Sequence, residues 1–236
     1  MNEQHVAQPR GFAIAIDGPV GVGKSTTARL VAQKLGMSYI DTGAMYRAVA
    51  LYNTEKGVDL TNSHYLEQSL ANIDIDLKHI EGEQRIFLNG RDVTEAIRTQ
   101  EISEAASIVA AEMHVRKKLV AMQKRMAKNG KIVMDGRDIG SHVLPWAQVK
   151  IYLDADLETR AKRRMKDLES KGQPANFDKI RQETIVRDHR DKTRPISPLI
   201  KSADAIYIDT GDMPPHEVAD KIIECVAKEE ILCSTE

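Results

Sequence analysis

The chain has 236 residues, with 34 Lys and Arg against 35 Asp and Glu, so it is long enough for one sizeable core with a smaller insertion, and its balanced charge excludes a chain-wide nucleic-acid surface. Only two cysteines occur, Cys225 and Cys233, outside any Cys-x-x-Cys pair. That spacing indicates neither a disulfide framework nor a zinc site and fits a reducing cytoplasm.

Residues 1–10 are polar and contain Pro9, and they are expected to be a disordered tail. The apolar run after them, residues 12–16, is too short for a signal peptide or a membrane span. It reads as a strand, as do 37–40, 131–134, 149–153 and 205–208. Helical spacing follows most of these runs. Ala28, Val31, Ala32 and Leu35 lead to a capping Gly36, and further helices are expected over 44–56, 114–128, 157–171, 177–191 with Asn176 as N-cap, and 215–227 with Pro215 in the first turn. Strands alternating with helices specify an α/β fold with a five-stranded parallel sheet covered on both faces. Between 73 and 93 the pattern alternates instead, and Asn89-Gly90 is a hairpin turn. A small antiparallel sheet inserted at about 58–100 is therefore expected.

Gly18-Pro19-Val20-Gly21-Val22-Gly23-Lys24-Ser25, followed by Thr26, matches the phosphate-loop pattern G-x-x-x-x-G-K-S/T between the first strand and the first helix. Such a loop curls backbone N–H groups around phosphate oxygens. Lys24 reaches the outer phosphates and Ser25 can bind Mg²⁺. No Asn-Lys-x-Asp run is present, which removes the guanine-switch reading.

Three further clusters fall where a phosphate-loop protein would use them. Asp41-Thr42-Gly43-Ala44-Met45-Tyr46-Arg47 sets a cation at the start of a helix. Asp135-Gly136-Arg137-Asp138 follows the third strand, at the edge where open parallel sheets bind ligands. Asp135 there could hold Mg²⁺ through water, while Arg137 and Asp138 offer donors and an acceptor to a polar base edge. The third run, Arg187-Asp188-His189-Arg190-Asp191-Lys192-Thr193-Arg194, ends at Pro195 and closes a stretch, 158–194, with twelve Lys or Arg against seven Asp or Glu. In isolation that run also reads as a surface helix laced with ion pairs. Next to a bound triphosphate its cationic excess suits an anionic small ligand.

In their order these runs, together with Ile14-Ala15-Ile16-Asp17 ahead of the phosphate loop and Ile97-Arg98-Thr99-Gln100-Glu101, resemble bacterial cytidylate kinase, a phosphate-loop nucleoside monophosphate kinase family. The resemblance covers almost the whole chain past Arg10. It implies transfer of the ATP γ-phosphoryl group to CMP or dCMP, with Mg²⁺ as cofactor, the inserted sheet as part of a monophosphate-binding subdomain, and a short lid at about 160–175. By position it implies Ser107, Arg116, Arg137 and Asp138 at the cytosine or its adjoining groups, Thr42, Arg187 and Asp191 near the sugar, and Arg47, Arg137 and Arg194 on phosphate. Lys24, Arg137, Arg187 and Arg194 are the expected catalytic cations. Thr42 departs from relatives with serine but keeps the hydroxyl. Among the lid arginines Arg160, Arg163 and Arg164, Arg163 is the expected ATP contact, because Arg163 and Arg164 point to different helix faces. ATP and CMP or dCMP are the expected partners of a monomer, with no nucleic acid and no membrane. The rival readings are a kinase for another monophosphate or small metabolite, a nucleotide-dependent binding module and an inactive scaffold.

Overall fold

A computed structural model describes residues 11–80, 82–128, 130–170 and 172–233. The expected tail at 1–10 and the helix-end positions Asn129 and Lys171 lie outside the described residues. The elements in chain order are β1 (Ala13–Asp17), α1 (Lys24–Leu35), β2 (Ser38–Asp41), α2 (Thr42–Glu55), α3 (Ser63–Leu70), β3 (Ile75–Ile80), β4 (Glu83–Leu88), β5 (Arg91–Asp92), α4 (Gln100–Val109), α5 (Met113–Met126), β6 (Ile132–Gly136), β7 (Val149–Asp154), α6 (Leu157–Ser170), α7 (Phe177–Thr193), β8 (Ile206–Asp209) and α8 (Pro215–Cys233).

Five strands form one parallel sheet in the order β2-β6-β1-β7-β8. Alternate residues of β1 serve opposite faces, as a strand's period of two requires. Ile14 and Ile16 pack with Val31 of α1 and Ile222 of α8 on one face, and Ala13 and Ala15 pack with Met134 and Leu144 on the other. The register sets Asp17 beside Gly136 and Asp41 beside Asp135. The carboxyl ends of β1, β2 and β6 thus finish level, and that edge carries the phosphate loop.

All five strands fall where the apolar runs place them, each ending one or two residues later at the polar carboxyl end and all but β7 beginning one residue later. α7 runs two residues past the expected end, to Thr193, and α8 continues to Cys233. Two helices, α3 and α4, interrupt the region expected to be mainly sheet and the segment after it. Both have side-chain caps: Asn62 accepts from the Tyr65 N–H at 3.2 Å and Thr99 from the Ile102 N–H at 3.2 Å. Strands β3, β4 and β5 form the expected antiparallel sheet, and Asn89 and Gly90, at φ 49° and 78°, make the two-residue turn that the pairing Leu88↔Arg91 requires.

The small sheet meets the large one through Leu77 of β3, packed against the core under β1, β2 and β6, and through the amide of Gln84. β2 is an edge strand, and Gln84 of β4 donates to the Tyr39 carbonyl at 2.5 Å and accepts from the Asp41 N–H at 3.0 Å. The amide thereby satisfies backbone groups that a neighbouring strand would otherwise take.

Candidate active site

At the carboxyl edge of the parallel sheet lies a cleft of about 590 Å³ lined by the phosphate loop, the starts of α1 and α2, one face of α4, the β6 end and cations of α6 and α7. The loop can turn tightly only because of its glycines. Gly18 has φ 148° and a Cβ there would sit 2.1 Å from the Leu153 carbonyl oxygen, while Gly21, at φ 82°, lies against the backbone of Arg160.

Lys24 opens α1, is 6% exposed and donates to the Pro19 carbonyl at 2.6 Å. Burial, reinforced by nearby Arg137, pulls its ammonium well below the ordinary lysine value. Its neighbour Ser25 donates to Asp135 at 2.8 Å, and the Tyr39 hydroxyl donates to the other Asp135 oxygen at 2.8 Å. Burial raises the Asp135 carboxyl above the ordinary range, and Asp41 adds to that rise. A hydroxyl and a carboxylate of hard oxygens at the cleft suit Mg²⁺, which takes few protein ligands and completes its shell with water and phosphate.

Asp41 caps α2 by accepting from the Ala44 N–H at 2.8 Å and pairs with Arg47 at 2.9 Å. Thr42 lines the cleft too, with its hydroxyl proton committed to the Asp135 carbonyl at 2.7 Å. After β6 the chain reverses in one turn of π-helix, Ile139–Val143. Asp17 holds that turn, accepting from the Ile139 and Gly140 N–H groups at 2.8 Å each. Burial pushes its carboxyl up to about 7, against the downward pull of those two N–H groups.

The turn aims Arg137 and Asp138 into the cleft. Arg137 donates to Asp191 at 2.7 Å. Burial raises the Asp191 carboxyl, but Arg137 and Arg187 outweigh it and hold the group below the ordinary value. Asp138 accepts from Arg116 and, at 3.2 Å, from Arg194, all three side chains being 3–6% exposed. Arg194 is therefore joined to Asp138, and its Nε donates to the Ser197 carbonyl at 2.7 Å. Arg187 lines the cleft with no hydrogen bond or ion pair to the described residues. Burial lowers its pKa to about 10, with repulsion from Arg137, Arg47 and Arg164 and attraction from Asp191. The cleft thus holds a guanidinium that Asp191 attracts but does not pair with directly.

The arginines of α6 divide differently from the expectation. Arg163 and Arg164 both line the cleft, because adjacent helical side chains straddle one groove when they are long enough to reach it. Arg163 is occupied, donating to the Thr210 hydroxyl at 3.0 Å and to the carbonyls of Thr210 and Gly211. Arg160 is 7% exposed and sits behind the phosphate loop, donating to the Val20 carbonyl at 3.2 Å and to Asp188 at 2.6 Å. It buttresses the loop rather than facing the cleft.

Sequence reasoning gave no role to Arg190, which donates to the Ser107 hydroxyl at 2.9 Å, or to Asp41 and Tyr46, which line the cleft. The spacing did carry a signal for Arg190: with Arg187, Asp191 and Arg194 it forms an i, i+3, i+4, i+7 face. The contacts Gln100 to Glu183 and Ser107 to Arg190 each span 83 residues, so α4 and α7 run side by side in parallel, meeting every second turn.

A family model described as cytidylate kinase matches residues 14–228. The chain belongs to the cytidylate kinase family. It is similar to the cytidylate kinase of Bacillus subtilis, 49% identical over 215 residues that make up 91% of this chain and 96% of that one, and to that of Geobacillus sp., 47% identical over 90% of this chain and 95% of that one. A gluconokinase from Sinorhizobium meliloti aligns over 95% of this chain and 97% of its own with a TM-score of 0.51 at 12% identity, which speaks to the fold alone. That fold is the phosphate-loop kinase fold, with its five-stranded parallel sheet and small antiparallel sheet.

Proposed function

We propose that the cleft transfers the γ-phosphoryl group of MgATP to CMP or dCMP, releasing ADP and CDP or dCDP. One arrangement carries this reading: a triphosphate cradle at 18–26 and a buried acid–arginine cluster, Asp138 with Arg116 and Arg194, open into one cleft with Arg187 and Arg137 lining it too. Family membership agrees with it.

The ATP phosphates occupy the loop at Gly18, Pro19, Val20, Gly21, Val22, Gly23, Lys24, Ser25 and Thr26, where Lys24 recovers its charge against the incoming anion. Ser25, with Asp135 through water, would hold Mg²⁺, which would supply charge neutralisation on the phosphate oxygens. The acceptor phosphate meets Arg47, Arg137 and Arg194, and the sugar lies by Thr42 and Asp191. Phosphoryl transfer leaves little covalent work for the protein, so the arginines act by position and charge, and the already ionised acceptor needs no general base. Each Asp138 oxygen has a second lone pair for the exocyclic amine of cytosine. Arg116 keeps a buried Nε without a partner among the described residues, a donor for the acceptors of the ring. Uracil reverses part of that pattern, leaving buried groups unpaired.

Residues 58–100 act as the acceptor subdomain and 160–175 as the lid. The acting unit in this proposal is a single chain. Among the described residues no helix is long and apolar enough to cross a membrane. The place of action is the cytoplasm, in pyrimidine nucleotide metabolism.

The test is ADP release with MgATP and CMP, dCMP, UMP, AMP or GMP at equal concentration. Rates with CMP and dCMP well above the rest are expected. Rates led by UMP or AMP would remove the base roles of Asp138 and Arg116, and release independent of any acceptor would remove the kinase reading.

The buttress of the base end gives a second expectation. Asp17→Asn leaves one of two buried N–H groups facing an amide NH₂, at a cost of about 1–3 kcal/mol. Because the folded pKa of Asp17 is raised, its share of stability is lost as pH rises through about 7 and is fully present below the unfolded value. The stability gap between the native chain and the variant, read from urea unfolding, should widen as pH falls from 8 to 5. A gap independent of pH would contradict the burial of that carboxyl.

A further inference from the structure

Tyr39 stands behind the cleft, 6% exposed, yet its hydroxyl is bound to an acid that lines it. In the pairing of β2 with β6, Tyr39 lies beside Val133, two residues before Asp135. A strand's period of two therefore puts Tyr39 and Asp135 on one face, the face where Tyr39 and Val133 pack with Val31 of α1. Two residues of strand span about 6.6 Å, a distance that a phenol bridges and a serine does not. The Tyr39 hydroxyl reaches forward to donate to one Asp135 oxygen at 2.8 Å, and Ser25, at the start of α1, donates to the other at 2.8 Å. Ser25 and the Tyr39 hydroxyl also feel each other directly.

A carboxylate held at one oxygen can swing about its Cβ–Cγ bond, whereas one held at both keeps its plane. Both donors are neutral hydroxyls. Asp135 forms no ion pair among the described residues, although Lys24 attracts it, so the clamp fixes the plane and leaves the charge in place. Without the phenol, the oxygen it holds would have to turn for a partner, and the oxygen that meets Ser25 would turn with it.

We propose that Tyr39 is a positioning residue for the metal side of the cleft, its hydroxyl locking the plane of the Asp135 carboxylate so that this acid and Ser25 can serve one Mg²⁺. The proposal rests on the reading that Ser25 and, through water, Asp135 take the metal of MgATP. The Tyr39 hydroxyl donates to Asp135 and not to a backbone group of the phosphate loop. Its loss should therefore be felt in the binding of ATP with Mg²⁺, and not in the binding of ATP without Mg²⁺ or of CMP.

The experiment compares the native protein with Tyr39→Phe, Asp135→Asn and the double variant. Calorimetry reads the Kd of a non-hydrolysable ATP analogue in excess Mg²⁺ and again in EDTA, and the Kd of CMP without ATP. Tyr39→Phe keeps the ring packed against Val31 and Val133 and loses only the donor; urea unfolding checks that each variant is folded. Loss of an outer-shell partner weakens a metal site by about 10–100-fold. The analogue in Mg²⁺ should bind Tyr39→Phe about tenfold more weakly, at the lower end of that range, while its binding in EDTA and that of CMP stay within about twofold. Adding Tyr39→Phe to Asp135→Asn should cost little more, because the group it orients no longer carries the charge. Native-level binding of the Mg²⁺-bound analogue to Tyr39→Phe would overturn the positioning role. So would a loss of equal size in EDTA, which would make Tyr39 a support of the loop itself, or losses that multiply in the double variant. Asp135→Asn with an unchanged dependence on Mg²⁺ would overturn it independently of the Tyr39 variant. These outcomes differ from failure of the kinase reading, in which the native chain itself releases no ADP on addition of CMP.

Discussion

Arg187→Met is expected to lower kcat with CMP and MgATP by about 10³-fold, the scale of an arginine that stabilises charge in phosphoryl transfer, while leaving the fold intact. The two halves of that expectation have the same origin. In the free protein Arg187 makes no hydrogen bond or ion pair with the described residues, and it lies among Arg137, Arg47 and Arg164. Its side chain makes no hydrogen bond or ion pair that folding would lose, and its removal relieves repulsion from Arg137, Arg47 and Arg164 while giving up attraction to Asp191. Urea unfolding of Arg187→Met should therefore stay close to the native midpoint, with the native far-ultraviolet spectrum. A cation so placed suits an anion that arrives later. A loss of turnover below tenfold in a folded variant would show that Arg187 is not that group, and an equal loss in stability and activity would show that it is part of the scaffold.

Asp138→Ala should do the opposite, with its main effect on the fold. The carboxylate is the shared partner of Arg116 and Arg194, whose side chains are each 3% exposed. Taking it away strands two buried guanidinium groups, and breaking a buried pair by removing one partner costs about 3–5 kcal/mol. The measurement is urea unfolding of native and variant proteins at one pH. A cost under about 1 kcal/mol would mean that the cluster is wet and loosely coupled, which would also weaken its claim to read a base. Asp138→Asn keeps the shape and one acceptor, so it should be milder in stability but should narrow the preference for CMP over UMP.

Much of this was legible where the signal is local. The phosphate loop needs eight consecutive residues in a strand–loop–helix setting, and all of its constraints lie within them. The hairpin at Asn89-Gly90 is similar, because the positive φ values required by the turn select those residue types. α3 and α4 were less visible. Their caps, Asn62 and Thr99, are in the sequence, but the alternating pattern nearby is stronger than the short apolar stripe of α3, and α4 is rich in alanine and serine, which suit several settings.

Pairings across the fold were not legible at all. In α6, cations occur on nearly every turn, so periodicity cannot say that Arg160 turns inward to Val20 and Asp188 while Arg163 settles on the Thr210 carbonyl. Nor can it say that Gln84 of the small sheet completes the edge of β2. Such contacts depend on how the small sheet and the helices α6 and α7 dock, which is a property of the assembled layers. The same holds for Arg190, whose position on the cationic face of α7 was readable but whose partner, Ser107 on α4, was not.

The most direct test of the central claim is a competition in one vessel: CMP, dCMP, UMP and GMP at equal concentration, with MgATP limiting, and the diphosphates separated by ion exchange after partial conversion. CDP and dCDP together should dominate, in amount equal to the ADP formed. UDP or GDP in the lead, or ADP without any pyrimidine diphosphate, would contradict the assignment of this cleft.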